Sequence, residues 1–185
     1  MWTRSDLLPI IRSRMTEKRY IHSIGVADTA ITLAEQVGID PQQAELAGLL
    51  HDICKYSDTE WMANQIKEQD LNPQLLEFHH ELWHGPVGSI VAKEEFGIVD
   101  EDVLNAIYYH TSGRAGMSAL EKVIYVADMI EPSRNFPKVD KLRDFAAQDV
   151  ELAMKYGVRH TLQHLLKQKQ TVYPDSLLCY NDCWK

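Results

Sequence analysis

Helix-start signals recur along this chain, and no stretch between them alternates as a strand would. That restricts the fold to packed helices. Ser5 can cap a first short helix. Thr16 can cap a long second one, with Tyr20, Ile24, Ala27, Ile31 and Ala34 as its apolar stripe and Gly38 closing it. Asp40-Pro41 opens a third. Ser57-Asp58-Thr59-Glu60 reads as a capping box, and Asn72-Pro73 starts another element. A helix follows Gly85-Pro86 and ends near Gly97. The next begins at Asp100-Glu101-Asp102, where acidic residues favour a helix N-terminus, and runs to His110. Ser118-Ala119-Leu120-Glu121 is a second capping box, leading into the helix that holds Asp128. Asp140 can cap a short helix and Asp149 a longer one, and Pro174-Asp175 starts a final turn or two. The expected fold is a compact all-α domain of about eight to ten helices. The longest irregular stretches, 111–117 and 132–139, flank the Asp128 helix and read as functional loops rather than boundaries.

The 185 residues suffice for one domain with a real core, so a single domain over 1–185 is expected. The net charge of −8, with both signs interspersed, argues against a nucleic-acid polymer or an anionic membrane surface as partner. A polyanionic substrate needs a locally positive pocket, which metal ions can supply. Met1-Trp2-Thr3-Arg4 leads directly into a short amphipathic segment without a signal peptide, and no apolar run approaches the roughly 20 residues of a membrane helix. With Cys54, Cys179 and Cys183 read as free thiols, a reduced cytoplasmic protein is the simplest expectation.

The chemistry starts at Leu49-Leu50-His51-Asp52-Ile53-Cys54-Lys55. An imidazole beside a carboxylate suits a divalent first-row metal such as iron or manganese. Adjacent residues on a helix point about 100° apart, so such a pair meets one ion most easily where the helix ends. Ala44, Ala47 and Gly48 below His51 allow another helix to approach closely. A helix-end His beside a solvated Asp is the plainer alternative. His22 shares its helix face with Arg19, Gly25, Val26 and Thr29. Gly25 costs helix stability on the order of 1 kcal/mol, which implies a packing or functional reason. Asp128 interrupts Val123-Ile124-Tyr125-Val126-Ala127-Asp128-Met129-Ile130, and a carboxylate on so apolar a helix needs a metal or an arginine partner. His84 and His110 stand at helix ends, well placed to reach a shared site. His79, His80, His160 and His164 lack such context and read as non-ligands.

A first His, a His-Asp pair and a distant Asp together resemble the signature of the HD-domain metallohydrolases, an all-helical superfamily acting mainly on phosphate esters and anhydrides. Five motifs are similar to one bacterial branch, the YqeK-type symmetrical bis(5′-nucleosyl)-tetraphosphatases. They are Arg19-Tyr20-Ile21-His22-Ser23-Ile24-Gly25-Val26, His51-Asp52-Ile53-Cys54-Lys55, His84-Gly85, His110-Thr111-Ser112-Gly113-Arg114 and Ala127-Asp128-Met129-Ile130-Glu131-Pro132-Ser133-Arg134. The likeness runs in register over roughly residues 15–180. It implies an iron enzyme that cleaves diadenosine tetraphosphate to two ADP, with room for a homodimer. Where that branch often reads His-Pro-Asp-Thr-Leu, this chain has Tyr173-Pro174-Asp175-Ser176-Leu177, which weakens the nucleotide contact implied at Tyr173.

Six ligand positions, four imidazoles and two carboxylates, suit two ions better than one. On this hypothesis His22, His51, Asp52 and Asp128 hold the first, and His84, His110 and a shared oxygen of Asp52 hold the second. Two ions about 3.5–4 Å apart can activate a water for in-line attack. Asp52 and Lys55 are the expected catalytic pair, Lys55 stabilising charge on the attacked phosphoryl group. Arg19 can hold a distal phosphate. Arg114 and Arg134, in the two loops, suit bidentate phosphate contacts. His84 and His110 border the substrate as well as the metal. There is no Gly-rich phosphate loop and no Ser or Cys nucleophile motif, which leaves a metal-activated water as nucleophile. Two other readings are a different HD-domain phosphohydrolase, acting on a nucleoside monophosphate, guanosine tetraphosphate or a cyclic nucleotide, and a non-catalytic module that binds metal and nucleotide. Another first-row divalent metal can replace iron.

Overall fold

The structure, a computed structural model, describes residues 2–185, and Met1 lies outside it. Among the described residues there are ten α-helices and no strand. They are α1 (Arg4–Arg14), α2 (Glu17–Val37), α3 (Pro41–Leu50), α4 (Thr59–Glu68), α5 (His84–Glu94), α6 (Glu101–Tyr109), α7 (Ala119–Ile130), α8 (Val139–Gln148), α9 (Val150–Lys167) and α10 (Pro174–Cys183). Two short 3-10 helices, Pro73–Glu77 and His80–Leu82, bridge α4 and α5. Among the described residues, no helix is long and apolar enough to cross a membrane. The three cysteines are free.

Helix α7 is the hub. Leu120, Val123, Ile124, Tyr125, Val126 and Ala127 are all buried, so its apolar surface runs almost all round. Such a helix must be covered on every side, and α2, α3, α6, α8 and α9 pack against it. Burying each of the larger apolar side chains contributes about 1.5–3 kcal/mol.

Helices α2 and α3 pack most extensively, and small residues line their contact. A Cβ on Gly48 would stand 2.7 Å from Ala27 Cα, closer than real Cβ contacts allow. The close approach also corrects the expected stripe of α2. Tyr20, Ile24 and Ile31 are only half-buried, whereas His22, Ser23, Val26, Ala27, Ala30, Leu33 and Ala34 form the buried face. Small side chains won the interface because the two backbones nearly touch.

Several helix starts shift from their sequence positions. Thr3, not Ser5, caps α1, in a reciprocal box with Asp6. Asp58, not Ser57, caps α4, its Oδ1 accepting from Trp61 N–H at 2.9 Å. The Ser57 N–H is already used in the preceding turn, donating to Cys54 O. Helix α5 begins at His84, ahead of Gly85-Pro86, because Pro86 fits a first turn that has no intrahelical partner for its nitrogen. Lys138, at φ 75°, precedes α8 and leaves Asp140 inside the first turn. The last helix spans ten residues rather than a turn or two. Thr16, Gly38, Asp40, Asn72, Asp100, Ser118 and Asp149 terminate elements as expected.

Gly48→Ala tests the α2–α3 contact. Overpacking against backbone costs up to about 3 kcal/mol, against roughly 1 kcal/mol gained in helix propensity. The expected result is a melting temperature lower by about 4–8 °C for a chain of this size. An unchanged or higher value in a thermal melt would show that the two helices separate freely.

Candidate metal centre

Four helix ends and one helix interior bring six side chains to one buried spot. His51 is the C-cap of α3, and the chain then turns through Asp52 to Lys55. Lys55 N–H donates to Asp52 O across that turn. His22 comes from the middle of α2 and Asp128 from the last turn of α7. His84 opens α5 and His110 closes α6. The four histidines and Asp52 are each at most 4% exposed.

Asp52 stands between two histidine pairs. Its Oδ2 lies 3.2 Å from His51 Nε2 and 3.6 Å from His22 Nε2. Its Oδ1 lies 3.1 Å from His84 Nε2 and 3.8 Å from His110 Nε2. Asp128 Oδ1 is 2.9 Å from His22 Nε2 and 3.8 Å from His51 Nε2. Two triads, His22–His51–Asp128 and His51–Asp52–His110, each gather their donor atoms within 4.8 Å of one another.

Hydrogen bonding on the far side of each ring decides what the near side can do. Nδ1 of His51, His84 and His110 faces the backbone carbonyl of Gly48, Glu81 and Ile107 respectively, each at 2.7 Å. Nδ1 of His22 faces Glu131 Oε1 at 2.8 Å. These oxygens only accept, so each Nδ1 carries the proton. A neutral ring then offers a lone pair at Nε2, the arrangement of a metal-ligating histidine. The buried Nε2 atoms of His22 and His51 have no hydrogen-bond partner. His22 Nε2 and Asp128 Oδ1 are close enough to bond, but with both atoms acting as acceptors a cation between them is what satisfies both. The His84 and His110 Nε2 atoms face each other at 2.9 Å under the same constraint. The donor set therefore fits divalent first-row metal.

The carboxylates favour positive charge at the inward nitrogens, as a metal ion or as a proton in its place: burial would lower His51, but Asp52 overcomes it and raises the ring. Burial would raise Asp52, but His51 and His84 overcome it and hold the carboxyl well below its ordinary value. Burial would likewise raise Asp128, and His22 and Arg134 hold it well below. Burial, with His84 and His51 adjacent, pushes His110 down to about 3, which keeps the ring neutral at physiological pH.

The HD domain model matches residues 19–133, and that span contains His22, the His51-Asp52 pair and Asp128. This chain belongs to the HD-domain family. The symmetrical bis(5′-nucleosyl)-tetraphosphatase of Bacillus subtilis is 47% identical to it over 178 residues, covering 96% of each chain. The protein of the same name from Staphylococcus aureus is 42% identical, covering 93% of this chain and 90% of its own length. A solved structure from Clostridium acetobutylicum, described as a predicted HD superfamily hydrolase involved in NAD metabolism, superposes with a TM-score of 0.94 at 37% identity. It matches over 100% of this chain and 98% of its own.

Around this HD-domain centre the other expected site residues are differently placed. Arg19 is at the cluster, Nη1 donating to Asp52 Oδ2 at 2.7 Å. Lys55 Nζ donates to Glu81 Oε2 at 2.5 Å, and its side chain is 18% exposed. Arg134 pairs with Asp128 Oδ1 and donates from Nε to Asp128 O, so the arginine partner weighed for Asp128 is present as well as the histidines. Arg114 lies over the Tyr109 ring and forks onto the buried Glu121 at 2.7 and 3.1 Å, so its phosphate-binding geometry is already used within the chain. Tyr173 is buried, edge-on to Phe78, and its hydroxyl accepts from Asn72. His79 accepts from Glu81 N–H at the surface. Sequence reasoning assigned no role to Glu131, Thr111, Glu81 or Arg143. Thr111 Oγ1 lies 3.0 Å from His110 Nε2. Arg143 donates to the carbonyls of Ile130, Glu131 and Arg134 and so braces the loop after α7. For Glu131 a signal existed: the costly Gly25 beside His22.

Metal added to stripped protein should raise the melting temperature, because a ligand that binds only the folded state at 100 times its Kd stabilises by about 2.7 kcal/mol. In Asp52→Ala that rise should be absent, since Asp52 faces all four imidazoles. A full rise in the variant, read by thermal shift against manganese concentration, would remove Asp52 from the centre.

Proposed function

We propose that this chain is a symmetrical bis(5′-nucleosyl)-tetraphosphatase, a hydrolase that splits diadenosine tetraphosphate into two ADP within a single domain of residues 1–185. The observation that carries the reading is that a chain so similar to enzymes of that name turns four Nε2 lone pairs and two carboxylates toward one buried spot. We assign His22, His51, Asp52 and Asp128 to one ion, and His84, His110 and Oδ1 of Asp52 to a second, with iron as the metal. The two oxygens of Asp52, each facing one histidine pair, support the shared role. Such metals supply positive charge to phosphate and lower the pKa of a coordinated water.

The chain's own residues do the rest. Asp52 and the pinned imidazoles keep the donor geometry rigid. Lys55 is held at the rim by Glu81 and is free to turn its ammonium to a phosphoryl oxygen that competes for it. Arg19, at 21% side-chain exposure, stays partly open beside Asp52 and is placed for a distal phosphate. Arg134 stands beside Asp128 for the same purpose, and a phosphate contact by Arg114 requires its pair with Glu121 to open. We place Tyr173 on the nucleoside side of the substrate. Cys54 is no rival nucleophile: burial pushes its thiol up to about 11, which leaves little thiolate at neutral pH. Water remains as the nucleophile.

Product analysis tests the reaction. Iron-loaded protein with diadenosine tetraphosphate should yield ADP alone on ion-exchange chromatography. AMP with ATP would mean attack at a different phosphorus, and an inert metal-replete protein would favour a binding module. Elemental analysis of the same preparation should approach two metal equivalents per chain, and a persistent single equivalent would end the two-ion assignment.

Lys55→Met separates chemistry from metal binding. Metal content should not change, because a protonated ammonium cannot ligate. Loss of one preorganised donor should lower kcat by about 10²–10³-fold. Steady-state kinetics at matched metal occupancy read the outcome. A change in KM alone would mean equal contact with substrate and transition state, and no change in either would place Lys55 outside the reaction.

A further inference from the structure

His22 is held differently from the other three imidazoles. They turn Nδ1 onto backbone carbonyls, whereas His22 turns Nδ1 onto the carboxylate of Glu131. Glu131 is 1% exposed, and a buried carboxylate is costly unless fully bonded. Its bonds are complete: Ser133 N–H donates to Oε2 at 2.7 Å, Ser133 Oγ donates to Oε1 at 2.5 Å, and His22 Nδ1 donates to Oε1. Room for the carboxylate comes from Gly25, one turn beyond His22 on the same face. A Cβ there would stand 2.7 Å from Glu131 Oε2. The backbone carrying Glu131 is braced by Arg143.

We propose that Glu131 is a positioning residue that fixes His22 as its Nδ1–H tautomer and strengthens Nε2 as a metal donor, in a slot built by Gly25 and Ser133. The inference rests on the metal-site reading above. An anionic acceptor draws the Nδ1 proton more strongly than a carbonyl does and leaves more electron density at Nε2. Ring orientation follows from the same bond. Glu131 is not itself a ligand, because its carboxylate oxygens are engaged by Ser133 and by the far side of the imidazole. The costly glycine in the middle of α2 then has a purpose: any side chain at position 25 would push the carboxylate off His22.

The test compares the full-length parent with Glu131→Gln, which removes the charge at nearly constant shape, and Gly25→Ala, which keeps the carboxylate but displaces it. Manganese(II) affinity is measured on metal-stripped protein by competition with a chelator. The His22 tautomer is read from long-range ¹⁵N–¹H spectra of the metal-free protein, and its fold from a thermal melt. Both variants should bind manganese about 10–100-fold more weakly, and the His22 signal should change from the Nδ1–H pattern to a mixed one. Should Gly25→Ala misfold, Glu131→Gln carries the test alone. Parent-like affinity in the folded variants overturns the proposal, as does an unchanged Nδ1–H signal accompanied by a lower metal-free melting temperature, which would make Glu131 a packing residue only. A parent that binds no manganese overturns the metal-site reading together with this one.

Discussion

The carboxylate of Asp52, buried among imidazoles, is the interaction on which the rest of the structure depends. Taking a charged group out of water costs several kcal/mol unless other groups replace the lost hydration. Arg19 supplies one direct bond, and the histidine pairs lie on either side. The backbone provides for this convergence by ending α3 and α6, and starting α5, at the same place. A helix end also leaves carbonyl groups without helical partners. His110 uses the Ile107 carbonyl and His51 the Gly48 carbonyl, each three residues back in the chain. The ends of these helices thus set the tautomer of the rings they carry.

Close packing of backbone makes that meeting point possible. Gly48 against Ala27 and Gly85 against the Tyr108 carbonyl are contacts that no side chain could occupy without displacement. The first brings α2, with His22, beside α3, with His51. The second brings the start of α5, with His84, beside the end of α6, with His110. Both glycines forgo helix propensity and side-chain burial, and the ligand geometry is what they provide in return. Helix α7 supplies the fixed surface against which α2, α3 and α6 pack, and it delivers Asp128 at its open end.

An acidic chain can therefore present a centre suited to phosphate. The net charge of −8 is spread over the whole molecule, while at the cluster Arg19, Lys55 and Arg134 each offset one acid, Asp52, Glu81 and Asp128, so that a divalent metal held by the imidazoles would make the site positive. At contact distances inside a protein, local charge outweighs distant charge that water and salt screen. The neutral His110 ring, held so by burial and its neighbouring histidines, is part of this arrangement, since it is a ligand only without its second proton.

The sequence by itself determined the all-helical class, most helix boundaries and the six side chains that converge. Those features are local. Caps act within one turn, helical periodicity shows over a few turns, and a carboxylate inside Val126-Ala127-Asp128-Met129 is anomalous whatever surrounds it. The shift of the α4 cap from Ser57 to Asp58 is a local misreading, caused by a turn that already used the Ser57 amide. Tertiary structure alone decided which ring nitrogen of His22 faces inward, which arginine meets which acid, and why α2 buries its small residues rather than Tyr20, Ile24 and Ile31. Arg114 and Glu121, seven residues apart, and His22 and Glu131, 109 apart, became partners only when the helices packed. Gly25 shows where the two levels meet. Its cost is visible in the sequence, but its cause, the carboxylate of Glu131 brought against it by the chain turning after α7, exists only in three dimensions.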